Sequence, residues 1–320
     1  MPGRRRSAPP APTLVIGESL VDVVVGADGQ RSEHVGGSPL NVAVGLARLD
    51  HPVTLATHFG RDARGAAIGQ HLAEAGVALV PGSDRARDTS IATATLDESG
   101  AATYTFDLDW RLPELPEVGG HVHTGSLGAL LRPGGVDVLS AMTGAARTHT
   151  ISYDPNCRPD LMPDRDAARA EIERRIAVSD VVKASDEDIT WLAGRPLDHN
   201  EIADVLRTWR DLGPSLAVCT LGAAGALAIL PSGRRIQLRA PRVEVVDTVG
   251  AGDSFMAGLL YGLLDAGLLG GAEPKARLRK ARGRVVSAAI ERAVDAAART
   301  VAHAGAHAPS RADLGVDAAR

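Results

Sequence analysis

The sequence predicts an α/β fold in three layers, a Rossmann-like parallel sheet with helices on both faces. Three observations carry this. From His121 onward, short apolar runs alternate with longer helical patterns, the mark of strand–helix–strand units. The first apolar run, Thr13–Ile16, has no polar alternation and stops at Gly17, as a buried strand does. The chain has 320 residues, enough for one large core, and only 3% aromatics, so Val, Leu, Ile and Ala must fill it.

The chain reads in order as follows. Residues 1–12 carry three arginines and Ala/Pro with no apolar h-region, a disordered tail and not a signal peptide. After the first strand, Asp22 falls near a strand's carboxyl end, where open α/β sheets bind ligands, and can accept hydrogen bonds from ligand hydroxyls. Val23–Val25, Gly26–Gly29 and Gln30–Val35 form a hairpin. Gly36-Gly37-Ser38-Pro39-Leu40-Asn41 opens a helix through Leu49, with Asn41 able both to donate and to accept. Val53–Thr57 is a strand, and Phe59–Gly65 leads into a helix over Ala66–Ala75. Thr89–Leu96 and Ala101–Leu108 are a second hairpin around Asp97–Gly100. Tyr104, Phe106 and Trp110 line either a ligand pocket or the core of the small sheet that these hairpin strands build. His121 and His123 alternate on a strand, which makes them structural and not metal ligands. Ile151–Tyr153 is a strand followed by Asp154–Pro159, where Arg158 can fork onto phosphate or carboxylate oxygens. Lys183, on the next strand, is a candidate phosphate contact.

Net charge is −4, which excludes a general nucleic-acid binder, and no apolar run spans a bilayer. The two cysteines, Cys157 and Cys219, lack zinc spacing and suit a reducing compartment, so the expected location is cytoplasmic. Lys275–Arg284 is basic and reads as a solvated helix face.

The stretch that concentrates chemistry is Asp247-Thr248-Val249-Gly250-Ala251-Gly252-Asp253-Ser254-Phe255. A strand-like run with Val243, Val245 and Val246 precedes it, and a helix from Phe255 to Leu264 follows. Gly250, Ala251 and Gly252 can aim N–H groups at one point at a helix N-terminus, which holds anions. Asp253 there would repel a phosphate unless it takes a proton from an attacking hydroxyl; otherwise it is an N-cap. There is no Gly-x-x-x-x-Gly-Lys-Ser/Thr, and the third glycine of the dinucleotide fingerprint is replaced by Phe255.

This run resembles the C-terminal signature of the ribokinase-like, phosphofructokinase-B type carbohydrate kinases, and Gly36–Asn41 resembles their N-terminal Gly-Gly-x-x-x-Asn signature. The similarity spans residues 13–309, with 310–320 as a tail. It implies a ribokinase-like fold with a small β-sheet lid built from strands within about 18–36 and 89–110. It implies sugar binding by Asp22, Gly37, Asn41 and Arg158. It implies nucleotide binding by Asn156, Lys183, Ser185, Thr220, Gly222, Gly225 and Gly252, with Asp188 ordering the water shell of Mg²⁺. It implies a monovalent cation, K⁺, at Asp247, Val249, Thr300 and Gly305. Asp253 would be the general base, with Gly250, Ala251 and Gly252 holding charge on the γ-phosphate of ATP. Asp154–Pro159 and the Ser38-Pro39 pair lean toward fructokinases, and Gly125 stands where ribokinases carry a sugar-binding Glu. His303 stands where the family has Arg. Fructose is the expected acceptor; 2-keto-3-deoxygluconate, another sugar or a nucleoside is the alternative, and a non-catalytic sugar-binding relative the rival of another class. Homodimerisation through the lid is a further expectation.

Overall fold

The computed structural model describes residues 11–97, 102–117 and 119–316. The tail over 1–10 and the hairpin turn around Ser99 lie outside the described residues. Pro12 is already anchored, its carbonyl accepting the His121 N–H at 2.9 Å.

In the first third, β1 (Thr13–Ile16), β2 (Leu20–Val25) and β3 (Arg31–Gly36) lead into α1 (Ser38–Arg48). Then come β4 (Val53–Ala56), α2 (Ala63–Ala75), β5 (Ala78–Leu79), β6 (Ile91–Leu96) and β7 (Ala102–Asp107). The middle third holds β8 (His121–Gly125), α3 (Ser126–Leu130), α4 (Gly134–Ala145), β9 (Ile151–Asp154), α5 (Arg165–Ala177), β10 (Val181–Ser185) and α6 (Asp186–Ala193). The last third holds α7 (His199–Leu212), β11 (Leu216–Thr220), β12 (Ala226–Ile229), β13 (Arg235–Leu238), α8 (Ala251–Asp265), α9 (Ala272–Arg279) and α10 (Gly283–Thr300).

The main sheet runs β13-β12-β11-β10-β9-β8-β1-β4-β5, parallel except where β12 and β13 return antiparallel. After β1 the chain steps outward to β4; later strands build away on the other side from β8. The junction of β1 and β8 is therefore the topological switch point, where such sheets open a ligand crevice. The smaller sheet, β3-β2-β6-β7, is the lid that the family resemblance implied.

Alternation along the strands separates two cores. Val15, Val181 and Val218 face α1, α2, α8 and α10, while Leu14, Ile16, Val182 and Cys219 face α4, α5, α6 and α7. That gives the three layers. Helix α8 is buried from Ser254 to Leu264, because it lies between α1 and α10. Small residues allow this: a Cβ on Gly262 would come 2.8 Å from Ala289.

Several expectations change. Residues 239–247 form no strand. Val243, Val245 and Val246 lie exposed, and the Val246 N–H donates to the Val301 carbonyl at 2.8 Å, so the segment follows the end of α10 and not a sheet edge. Trp110 belongs to neither pocket nor lid. It is buried in the core on the α4 side, against Gly134, while Tyr104 stacks on Phe106 and stays half exposed. Lys275 is not merely solvated; it pairs with buried Asp180. Residues 310–316, expected as a tail, are docked in part, since Leu314 and Val316 pack on the core. His121 and His123 are structural as expected, buried and bonded to Thr150 and Ser152.

Candidate active site

The carboxyl ends of β1, β8, β9, β10 and β11 form one row, and the N-termini of α1 and α8 point at it. At the start of α8, Gly250 has φ +75°, and a Cβ there would sit 2.7 Å from that of Ala306, so the turn requires glycine. The first helical bond is Ser254 N–H to the Gly250 carbonyl. Gly252 and Asp253 N–H groups thus precede the helical ladder and have no acceptor within it. Ala251 differs from expectation: its N–H closes the turn on the Thr248 carbonyl at 3.2 Å.

Asp253 is clasped from α1. Ser38 Oγ donates to Oδ1 at 2.6 Å and Asn41 Nδ2 to Oδ2 at 2.8 Å. Burial raises its pKa, against the pull of those two donors and of the Lys183 and Arg158 charges. Gly37, with φ +114°, lets the chain pass against the Glu18 carbonyl, 2.5 Å from where a Cβ would stand. On the lid, Asp22 faces His34 across the β2–β3 pair. Partial burial raises its pKa too, and the Arg158 and His34 charges oppose the rise.

Arg158 comes from the loop after β9 and is held by the carbonyls of Asn156 and Cys157 and by Asn156 Oδ1 at 2.8 Å. Its charge reaches Glu18, Asp22 and Asp253 together. Asn156 has φ +40° and its Nδ2 donates to Ser126 Oγ at 3.3 Å. Lys183 is already paired: it is buried, and one of its three N–H groups goes to Asp154 at 2.8 Å. Its Nζ lies 3.1 Å from where a Cβ on Gly252 would be, directly beneath the turn. Burial raises the Asp154 pKa to about 6 despite that partner.

Asp188 is equally occupied. Its oxygens accept the Cys157 N–H at 2.7 Å and the Ser185 N–H at 2.8 Å, the second as part of a capping box on α6. It ties the Asp154–Arg158 loop to α6, and both oxygens already serve backbone donors. Ser185 and Thr220 are register neighbours at the ends of β10 and β11. Gly222 and Gly225, both with positive φ, make the following turn. Asp247 accepts from Val249 N–H at 3.0 Å and Gly305 N–H at 2.8 Å, joining the signature turn to the C-terminal loop. These bonds lower its pKa. The Thr300 and Gly305 carbonyls each accept one N–H, from His303 and His307. His303 stacks on His307 at 4.1 Å between ring centroids. Glu18, buried at the switch point, was missed; its only sequence signal was an acid directly after the glycine that ends β1.

A half-buried carboxylate gripped by polar side chains at an open helix N-terminus, on a doubly wound sheet, marks a phosphoryl-transfer enzyme with an alcohol acceptor. The chain belongs to the pfkB family of carbohydrate kinases, whose pattern it matches over residues 14–313. It is 34% identical over 264 residues to a fructokinase of Rhizobium leguminosarum bv. trifolii, covering 78% of this chain and 79% of that protein. Among solved structures it is similar to fructokinase from Vibrio cholerae O395 in its fructose, ADP and calcium ion bound form. That match has a TM-score of 0.76 and 25% identity, over 95% of this chain and 98% of the other. Aminoimidazole riboside kinase from Salmonella enterica, complexed with aminoimidazole riboside and an ATP analog, gives a TM-score of 0.71 at 25% identity, over 95% and 98% of the two chains.

Proposed function

We propose that this sugar kinase transfers the γ-phosphate of ATP to a primary hydroxyl of fructose. The observation that carries the mechanism is the clasp of Asp253 by Ser38 and Asn41. Asp253 accepts the hydroxyl proton as that oxygen bonds to the γ-phosphorus and ADP leaves. Ser38 and Asn41 fix the carboxylate, so the base is positioned before substrate arrives. The Gly252 and Asp253 N–H groups and the Gly250 turn meet charge on the phosphoryl oxygens, and Lys183, fixed by Asp154, adds positive charge from below. Asp22, Gly37, Asn41 and Arg158 orient the sugar. Asn156, Ser185, Thr220, Gly222 and Gly225 line the nucleotide side of the strand ends. Mg²⁺ supplies charge neutralisation on the nucleotide phosphates; Asp188 supports that region by ordering the loop after β9. Asp253 argues against a non-catalytic relative.

The likeness to the riboside kinase keeps a nucleoside as the second reading, beside 2-keto-3-deoxygluconate and other sugars. ATP-coupled turnover across these acceptors decides. Ribose or a nucleoside exceeding fructose about tenfold in kcat/KM, a difference of about 1.4 kcal/mol in transition-state binding, would reject fructose.

The expectations of K⁺ at Asp247, Val249, Thr300 and Gly305, and of a homodimer through the lid, form part of this proposal. Asp247 supports the first by drawing turn and loop together. The edge strands β3 and β7 support the second, since open edges present backbone donors and acceptors. Among the described residues no helix is long and apolar enough to cross a membrane. We place the enzyme in the cytoplasm because it uses ATP and its cysteines are free and buried.

A further inference from the structure

One buried acid at the switch point has no part in the chemistry above. Glu18 stands one residue beyond β1, after Gly17, and is 6% exposed. Its Oε2 accepts the Gly128 N–H at 2.7 Å, across the crevice between β1 and β8. The neighbouring Ser126 side chain also favours its ionised form. Ser126 Oγ receives Asn156 Nδ2 at 3.3 Å, and Asn156 Oδ1 receives Arg158 Nη1 at 2.8 Å. The two middle members hold left-handed backbone, φ +54° at Ser126 and +40° at Asn156. Non-glycine residues adopt that region at a cost, and they do so where surrounding bonds over-determine them.

We infer that Glu18 is a positioning residue for the sugar subsite: through Ser126 and Asn156 it sets the Arg158 guanidinium over the cleft, where Asp22 and Asp253 also face it. The inference rests on the sugar-kinase reading. The ionised form matters, because its charge and that of Arg158 attract directly. Burial raises the Glu18 pKa to about 7, while the Gly128 N–H, Ser126 and Arg158 hold it back. The guanidinium is thus drawn into place above that pH and released below it. Of the other acids, Asp253 and Asp22, which feel that guanidinium, have raised pKa values, and so has Asp154 beside Lys183, at about 6. A variant comparison must therefore separate Glu18 from them.

The test is Glu18→Gln in the full-length enzyme, with kcat and KM for sugar and for ATP measured from about pH 6 to about pH 8. Glutamine keeps an acceptor for the Gly128 N–H but carries no charge. The expected result is an about tenfold higher sugar KM at about pH 8, with kcat and the ATP KM little changed, shrinking toward equality with wild type at about pH 6. A variant whose KM profile overlays wild type across that range would overturn the inference, since a merely structural acceptor is conserved in it. Ser126→Ala provides the second arm by removing the link and leaving the Gly128 contact. It should raise sugar KM in the same way, and an unchanged KM would also overturn the inference, including where Glu18→Gln does not fold. The assays use whichever sugar the wild type turns over, so failure on fructose counts against the substrate assignment and leaves the Glu18 comparison intact.

Discussion

Replacing Asp253 by Asn should remove turnover and leave the architecture in place. The clasp survives: the new carbonyl faces Asn41 Nδ2, and the new NH₂ faces Ser38 Oγ, whose hydroxyl turns from donor to acceptor. The half-buried charge disappears, and since burial raises the Asp253 pKa, its ionised form is less favoured there than in water. Thermal stability should therefore hold or rise. What goes is the proton acceptor, and losing a positioned general base typically costs about 10²–10⁴ in rate, or about 3–5 kcal/mol of barrier. ADP release followed by a coupled assay gives kcat, and calorimetry gives ATP affinity, expected within about twofold of wild type because the Gly250–Gly252 turn is untouched. A kcat within about tenfold of wild type would place the base elsewhere.

Gly250→Ala meets both a left-handed φ and the Ala306 side chain 2.7 Å away, so it should lower stability by about 1–3 kcal/mol and cut kcat; a variant with wild-type Tm and kcat would refute the tight turn. His51 is held neutral by burial with its pKa lowered to about 4, bonded to Thr13. The unfolded chain takes that proton below about pH 6.5 and the native state only below about 4, so stability is full above the first value and falls with pH down to the second. Glu18 and Asp154, with raised pKa values, act in the opposite sense, so the comparison is with His51→Gln. Between those two pH values wild type should lose about 3 kcal/mol more than the variant in urea melts, and parallel curves would reject the assignment. Exchanging K⁺ for Na⁺ or tetramethylammonium at constant ionic strength should lower kcat more than it changes sugar KM; unchanged kcat would leave Asp247 only its bonds to Val249 and Gly305.

Local pattern carried much of this protein. Thr13–Ile16, the two hairpins, the helix after Asn41 and the helix after Gly252 are written in runs of a few residues, where periodicity and glycine placement act directly. The signature placed Asp253 correctly at the start of α8. Its partners were another matter: Ser38 lies 215 residues away, and nothing local says that its hydroxyl reaches that carboxylate. For Lys183 and Asp188 sequence shows a charge but not the Asp154 carboxylate or the backbone N–H groups that each one meets. The stretch before the signature misled because valine alternation implies a strand only where a neighbour offers a free edge. Glu18 stayed hidden because its meaning depends on β8 lying beside β1, a fact of topology and not of spacing.

The pairing of α1 with α8 bears on when the enzyme comes to life. The base and its two clamps are separated by 212 and 215 residues, and the turn that carries the base is tied to Gly305. A nascent chain emerges from its N-terminus at about 5–20 residues per second and can fold the lid and the first strands early. It cannot assemble the catalytic centre until the loop after α10 has left the ribosome. A chain cut short anywhere before that loop lacks one of the ties on the turn that carries Asp253, and should be inert.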